Sequence, residues 1–188
     1  SECEKFVYNP EFLREKHASQ DFIDSTLLLF GGKKDNCNQL AHFYNHYTKC
    51  NSKEYFYTDV ISASLCKYAI NSFLATKVVF FNELKSIFDK SGTSTEWKDF
   101  IHFLSKDIRI GSSHMEVPGH DGRKGYGGAC FPKDTSALLQ YSKTIDEEFF
   151  LLKKDININN FIRAEYNELT DREKEQNVSF VTEGVKKN

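Results

Sequence analysis

The chain has 188 residues, the size of one domain or of one domain with part of a second. Lys and Arg total 25 against 27 Asp and Glu. That balance of −2 excludes the basic footprint of a nucleic-acid binder and the acid-rich make-up of a disordered tail. With 17 Phe, 9 Tyr and only 3 Pro, the composition predicts a core built on rings and long helices with few linkers.

The chain opens on Ser1 with no charged segment followed by an apolar one, so no secretory leader is expected. The cysteines are Cys3, Cys37, Cys50, Cys66 and Cys130, an odd set without a CxxC pair. Neither a disulfide framework nor a zinc site follows from that pattern; reduced thiols in the cytoplasm do.

In chain order, Glu4 to Phe12 reads as a strand running into a Pro-Glu-Phe turn. Leu27 to Gly32 reads as a buried strand closed by two glycines. Asp35 to Cys50 suits a helix with Leu40, Phe43, Tyr44 and Tyr47 on one stripe, and Glu54 to Thr58 a third short strand. Too few strands are present for a complete sheet, so these are expected to be βαβ remnants.

Asp59 to Ser91 is the dominant feature, a helical pattern with Asp59 placed to cap it and Ser91-Gly92 to end it. Its apolar run nears the length of a membrane span, but Lys67, Asn71 and Lys77 interrupt it at a cost no bilayer core repays. The expectation is a helix buried on most sides, by the core and by a partner subunit. Thr95 to Lys106 continues as helix, and regularity then stops from Ile108 to Phe131, where glycine is dense. Pro132 sits where a first helical position belongs, with helix to about Lys143. Asp146 to Arg163 and Asp171 to Glu175 read as helix, and Val181 to Asn188 as a frayed tail.

The segment from Gly125 to Asp134 carries the strongest chemical signal. Its glycines allow close backbone approach to a ligand, and a cysteine at a helix start meets the positive end of the helix, which favours thiolate. Asp134 lies in the first turn, within range of proton transfer. Two readings stand: a nucleophile, or a buried structural cysteine at a helix start. Lys67 and Asn71, four apart on one helix face, likewise read either as a lysine snorkelling to water or as a cation and an amide aimed at a developing oxyanion.

Weaker candidates are His42 with His46, at metal-ligand spacing but without the zincin Glu, and His114 or His120 as a base for Cys130 in a thiol hydrolase. Asn177-Val178-Ser179 matches a glycosylation acceptor, without meaning in the cytoplasm. No nucleotide-binding glycine fingerprint of the GxGxxG or GxxxxGK[ST] kind occurs.

The stretch Gly125-Tyr126-Gly127-Gly128-Ala129-Cys130-Phe131-Pro132-Lys133-Asp134 resembles the GxGGxCxPKD cysteine motif of the UDP-glucose/GDP-mannose dehydrogenase family. Three more segments resemble that family in order: Asn9 to Glu15 (NPEFLRE), Lys67 to Ala75 through Phe81-Asn82-Glu83 (KYAxNxFLA…FNE), and Asp107 to Gly111 (DxRIG). Departures are Lys16 for glycine, Ala129 for serine, and a longer loop from Ser112 to Arg123.

The resemblance implies an NAD-dependent, four-electron oxidation of a nucleotide sugar's C6 alcohol to a carboxylate, with UDP-glucose the leading substrate. By it Cys130 is the nucleophile, passing through a thiohemiacetal and a thioester. Lys67 and Asn71 hold the oxyanion, Asp134 supports proton traffic, and Glu15 is the base in thioester hydrolysis. Phe12, Leu13, Tyr126, Gly127 and Gly128 hold the sugar, and Arg109 reaches it from the partner of a homodimer joined through residues 59–91. The expected fold is α+β, predominantly α: a long central helix with packed helices plus a small remnant of a Rossmann-type sheet. Residues 1–58 are expected to be the end of an NAD-binding α/β domain and 59–188 the central helical dimerisation domain. NAD is the implied cofactor although its fingerprint loop is absent from this sequence, so the sequence reads either as a truncated enzyme or as one piece of a split enzyme completed by a separate NAD-binding chain. Neither nucleic acid nor membrane is an expected partner. The alternative is a non-catalytic module for dimerisation and sugar binding.

Overall fold

The computed structural model describes residues 5–14 and 17–180. It is α+β and predominantly α, as expected. Two compact units divide it, residues 1–69 and 70–188.

In the first unit, β1 (Val7–Tyr8), β2 (Leu28–Gly32) and β3 (Tyr55–Thr58) form one sheet in that order. β1 runs antiparallel to β2, pairing Val7 with Gly32, and β3 runs parallel to β2, pairing Leu28 with Tyr55. The crossover between β2 and β3 contains α2 (Lys34–Tyr47), so a βαβ unit is the kernel of this part. Leu28, Leu29 and Phe30 are buried in succession, the mark of a strand covered on both faces. Phe30 is fully buried, with Cys37 and Ala41 of α2 around it and Leu40, Tyr44 and Tyr55 packed alongside.

That packing corrects the expected stripe on α2. Leu40 and Tyr44 face inward, whereas Phe43 and Tyr47 are exposed, because positions 37, 40, 41 and 44 already make up one helix face. The short α1 (Ala18–Ile23) was not foreseen, since six residues carry too little periodicity to read. Asp21 of α1 accepts from the Arg14 backbone N–H at 2.8 Å and pairs with its guanidinium at 2.6 Å. That ties the preceding turn to the helix.

α3 (Val60–Lys90) spans both units along the chain. Asp59 caps it as expected: one carboxylate oxygen accepts the Ser62 N–H at 2.9 Å and the other its hydroxyl at 2.6 Å. At the far end the Ser91 hydroxyl donates to the Phe88 carbonyl, and Gly92 takes a φ of 73°, which a side chain would oppose. The expectation that α3 is buried on most sides does not hold within the chain. Its inward row is Ala63, Lys67, Asn71, Ala75, Val79 and Asn82, while Ile61, Leu65, Phe73, Phe80 and Ile87 lie exposed. The row from Ala63 to Ala75 is small or polar, Val79 and Phe81 add the apolar part of the buried surface, and several large apolar residues face out. Among the described residues no helix is long and apolar enough to cross a membrane.

In the second unit, α4 (Trp97–Ser105) packs Trp97 and Ile101 against Phe81, Met115 and Val117. Irregular chain follows to Ala129, as expected. Then come α5 (Cys130–Thr144), α6 (Phe150–Arg163) and α7 (Asp171–Glu175). α5 begins at Cys130 and not at Pro132, which occupies its third position. α6 starts later than the pattern suggested, because Asp146 adopts a φ of 55° and breaks the chain between α5 and α6. α7 carries a capping box between Thr170 and Glu173.

Candidate active site

Cys130 is exposed and opens a helix of 15 residues whose N-cap, Ala129, offers no side-chain acceptor. A helix N-terminus favours negative charge, and Cys130 is the first residue of this one. Asp134, one turn on, is almost wholly buried at 1 % exposure. Its carboxylate accepts the Asn71 side-chain N–H at 2.5 Å and pairs with the Lys133 ammonium. A carboxylate so deep is tolerable only with such partners. Because α5 starts at Cys130, Asp134 lies just past the first turn expected for it, and Asn71 of α3 is joined to α5 there.

The glycine-rich loop before Cys130 is pinned from α3 and α6. The Gly125 N–H donates to Asn82 at 3.0 Å. Asn159 of α6 clamps Tyr126 by both backbone groups, accepting its N–H at 2.7 Å and donating to its carbonyl at 3.0 Å. The Tyr126 hydroxyl donates to Asp155 at 3.1 Å. Arg163, four residues beyond Asn159, pairs with Glu173 of α7 and with Asp121 at 2.8 Å. A Cβ at Gly127 would collide with the paired ends of Arg163 and Glu173, so a side chain there would displace that ion pair. Sequence reading missed Asp155, Asn159, Arg163 and Glu173. Their signal was a polar residue every four positions on α6, a pattern that a solvated face shares.

In the first unit, Lys67 donates to the Glu11 carbonyl at 2.5 Å and to its carboxylate at 2.8 Å, with its ammonium 5.6 Å from the centre of the Phe12 ring. The other Glu11 oxygen accepts the Leu13 N–H at 2.8 Å. Lys67, Phe12 and Leu13 therefore come together around Glu11, a residue the motif contains but to which no role was given. Asn9 secures the turn by donating to the Leu29 carbonyl at 3.2 Å and accepting from the Tyr44 hydroxyl at 2.6 Å.

Arg109 is exposed and paired with Asp107 of its own motif. The carbonyls of the adjacent Ile110 and Gly111 accept from Lys77 at 2.9 and 3.3 Å. Glu15 lies outside the described residues, as does Cys3. His42 and His46 are exposed and stacked at 4.0 Å, and no group of three potential metal ligands occurs among the described residues. His114 stacks beside Phe131 at 5.5 Å. The described residues do not fit the dinucleotide that the resemblance implies. Gly31 and Gly32, the pair ending β2, are no open phosphate cradle. A Cβ at Gly31 would meet Ala63 at 2.7 Å, and one at Gly32 the Phe6 carbonyl at 2.9 Å.

Residues 61–161 match the central domain of the UDP-glucose/GDP-mannose dehydrogenase family. The chain belongs to that family. It is 37% identical over 153 residues to UDP-glucose 6-dehydrogenase YwqF of Bacillus subtilis, covering 81% of this chain and 32% of that protein. With UDP-glucose 6-dehydrogenase of Rickettsia bellii it shares 38% over 131 residues, 69% of this chain and 28% of the relative. The solved structure of a UDP-glucose dehydrogenase from Pyrobaculum islandicum superposes with a TM-score of 0.70 at 29% identity, covering 82% of this chain and 34% of the other. A UDP-D-ManNAc dehydrogenase from Pyrococcus horikoshii shares the fold, with a TM-score of 0.66 at 22% identity over 84% of this chain and 34% of the other. The chain spans about a third of the length of these relatives.

Asp155 gives this site a pH dependence. Burial pushes its carboxyl up to about 6, with the Tyr126 and Thr76 hydroxyls opposing and Glu83 adding repulsion. The folded chain then keeps a proton between about pH 4 and 6 that the unfolded chain releases, so this group favours folding as pH falls through about 6. Asp155→Asn is expected to raise stability at pH 7 by on the order of 2 kcal/mol and to lose that advantage below about pH 4. Urea unfolding across this range checks it; parallel pH curves for the two proteins contradict it.

Proposed function

We propose that this chain is the catalytic core of an NAD-dependent nucleotide-sugar dehydrogenase acting on UDP-glucose or a close relative. The observation that carries the reading is the buried Asn71–Asp134 hydrogen bond beside the helix start at Cys130. A primary amide has two N–H donors. The bond to Asp134 orients Asn71 and leaves its second N–H for an incoming oxygen. The Cys130 thiolate adds to the C6 aldehyde carbon, forming a C–S bond while the carbonyl electron pair moves to oxygen. Asn71, with Lys67 one helical turn away, stabilises that oxyanion. Once that adduct has given up its hydride and become a thioester, Glu15 activates the water that displaces the Cys130 sulfur and releases the carboxylate, with Asp134 supporting the proton traffic. Phe12, Leu13, Tyr126, Gly127 and Gly128 position the sugar. Oxidation of the alcohol and of the adduct needs a hydride acceptor, and the described residues do not supply its site.

The protein alone, given UDP-glucose and NAD, is expected to show no steady NADH formation. Adding the separately expressed NAD-binding part of a relative is expected to start it, and Cys130→Ser to abolish it. NADH formation that survives Cys130→Ser overturns the role of Cys130. No NADH under either condition favours the non-catalytic dimerisation and sugar-binding module.

The outward row of α3 supports a homodimer. Phe73 and Phe80 are 69% and 58% exposed on a helix that buries Lys67, Asn71 and Asn82, an arrangement that a second copy resolves by burying the apolar stripe. Arg109 would then serve the partner's site. Light scattering at micromolar concentration is expected to give a dimer mass, and Phe73→Glu a monomer. A monomeric parent protein would count against this assembly.

A further inference from the structure

We propose that Asn159 and the Arg163–Glu173 pair are positioning residues for Cys130, acting through the glycine-rich loop. The inference rests on Cys130 being the nucleophile.

Asn159, Arg163 and Glu173 are 0%, 2% and 0% exposed. Burying an amide and an ion pair is weak evidence for stability, because apolar side chains of the same volume commonly serve as well. Their gain is direction. The two hydrogen bonds from Asn159 take both the N–H and the carbonyl of Tyr126, which fixes the orientation of the peptides on either side. Asn82 holds Gly125 by one bond, accepting its N–H, and the Arg163 and Glu173 side chains fill the space beside Gly127.

The neighbouring position is different. Gly128 has a φ of 73°, and a Cβ there would meet nothing within 4 Å. The loop is therefore packed up to Gly127, while Gly128 sits in open space just before the helix that begins at Cys130. Glycine leaves the backbone the widest choice of conformations. The direction in which the chain enters α5, and with it the placing of Cys130, depends on the anchors upstream.

Glu173 itself is held as a carboxylate. Burial raises its pKa, but hydrogen bonds from the Thr170 backbone and hydroxyl, together with the Arg163 charge, outweigh that and leave it below the ordinary value. Arg163 therefore faces a permanent anion and stays in place.

The test is the rate of iodoacetamide alkylation of Cys130 against pH, read by peptide mass spectrometry with Cys66 of the same chain as internal reference. Asn159→Leu and Arg163→Lys leave the charge of the loop's surroundings unchanged or nearly so. In the unsubstituted protein Cys130 is expected to titrate below Cys66. In each variant, with helical circular dichroism retained, the Cys130 profile is expected to move up toward an ordinary thiol, and its rate at pH 7 relative to Cys66 to fall about tenfold. Folded variants with the unsubstituted profile overturn the positioning role alone. A Cys130 that matches Cys66 before any substitution overturns the nucleophile reading, and this inference with it. If Asn159→Leu does not fold, Arg163→Lys, which keeps the cation, decides the matter by itself.

Discussion

The inward row of α3 is the constraint on which the rest depends. Lys67, Asn71 and Asn82 follow one helix face, and each is buried, so each must find a fixed partner or cost the fold its desolvation. Lys67 takes Glu11, Asn71 takes Asp134, and Asn82 takes the Gly125 N–H. A continuous helix fixes the spacing of these three groups along the chain. Within each unit it dictates where a functional segment can lie: the turn around Glu11 in the first, the cysteine loop and the start of α5 in the second.

The same row explains the outward stripe. A helix that gives much of its inner face to alanine and polar residues carries many of its large apolar residues elsewhere, and here Ile61, Leu65, Phe73, Phe80 and Ile87 are exposed. The chemistry and the proposed assembly are thus two faces of one helix. α6 repeats the design on a smaller scale: Leu152 contributes to the core, and Asp155, Asn159 and Arg163 hold the glycine loop.

Much of this was legible in the sequence where local chemistry decides structure. Asp59 and Gly92 mark the ends of α3 because a cap needs a side-chain acceptor and a left-handed terminus needs glycine. Leu28 to Phe30 announced a strand buried on both faces. The cysteine motif and the pair Lys67 and Asn71 could be named from residue type and spacing, but their partners could not. Asn71 meets Asp134 across 63 positions, and Lys67 meets Glu11 across 56, separations that no periodicity encodes.

The misreadings have a common cause. On α2, Phe43 and Tyr47 lie exposed although the stripe puts them with the core, because aromatic side chains usually face inward. The buried polar row of α6 passed unnoticed because polar side chains usually face water. In both cases tertiary context overrides the side chain's own preference.

Everything about the site turns on Cys130 attacking an aldehyde, and one spectrum tests that directly. UDP-glucose oxidised to its C6 aldehyde and isotopically labelled at that carbon is mixed with the protein and followed by carbon NMR. A sulfur-bound hemiacetal carbon, distinct from free aldehyde and hydrate and missing with Cys130→Ser, is the expected result. Aldehyde and hydrate signals alone, identical for both proteins at saturating concentration, contradict Cys130 as the nucleophile.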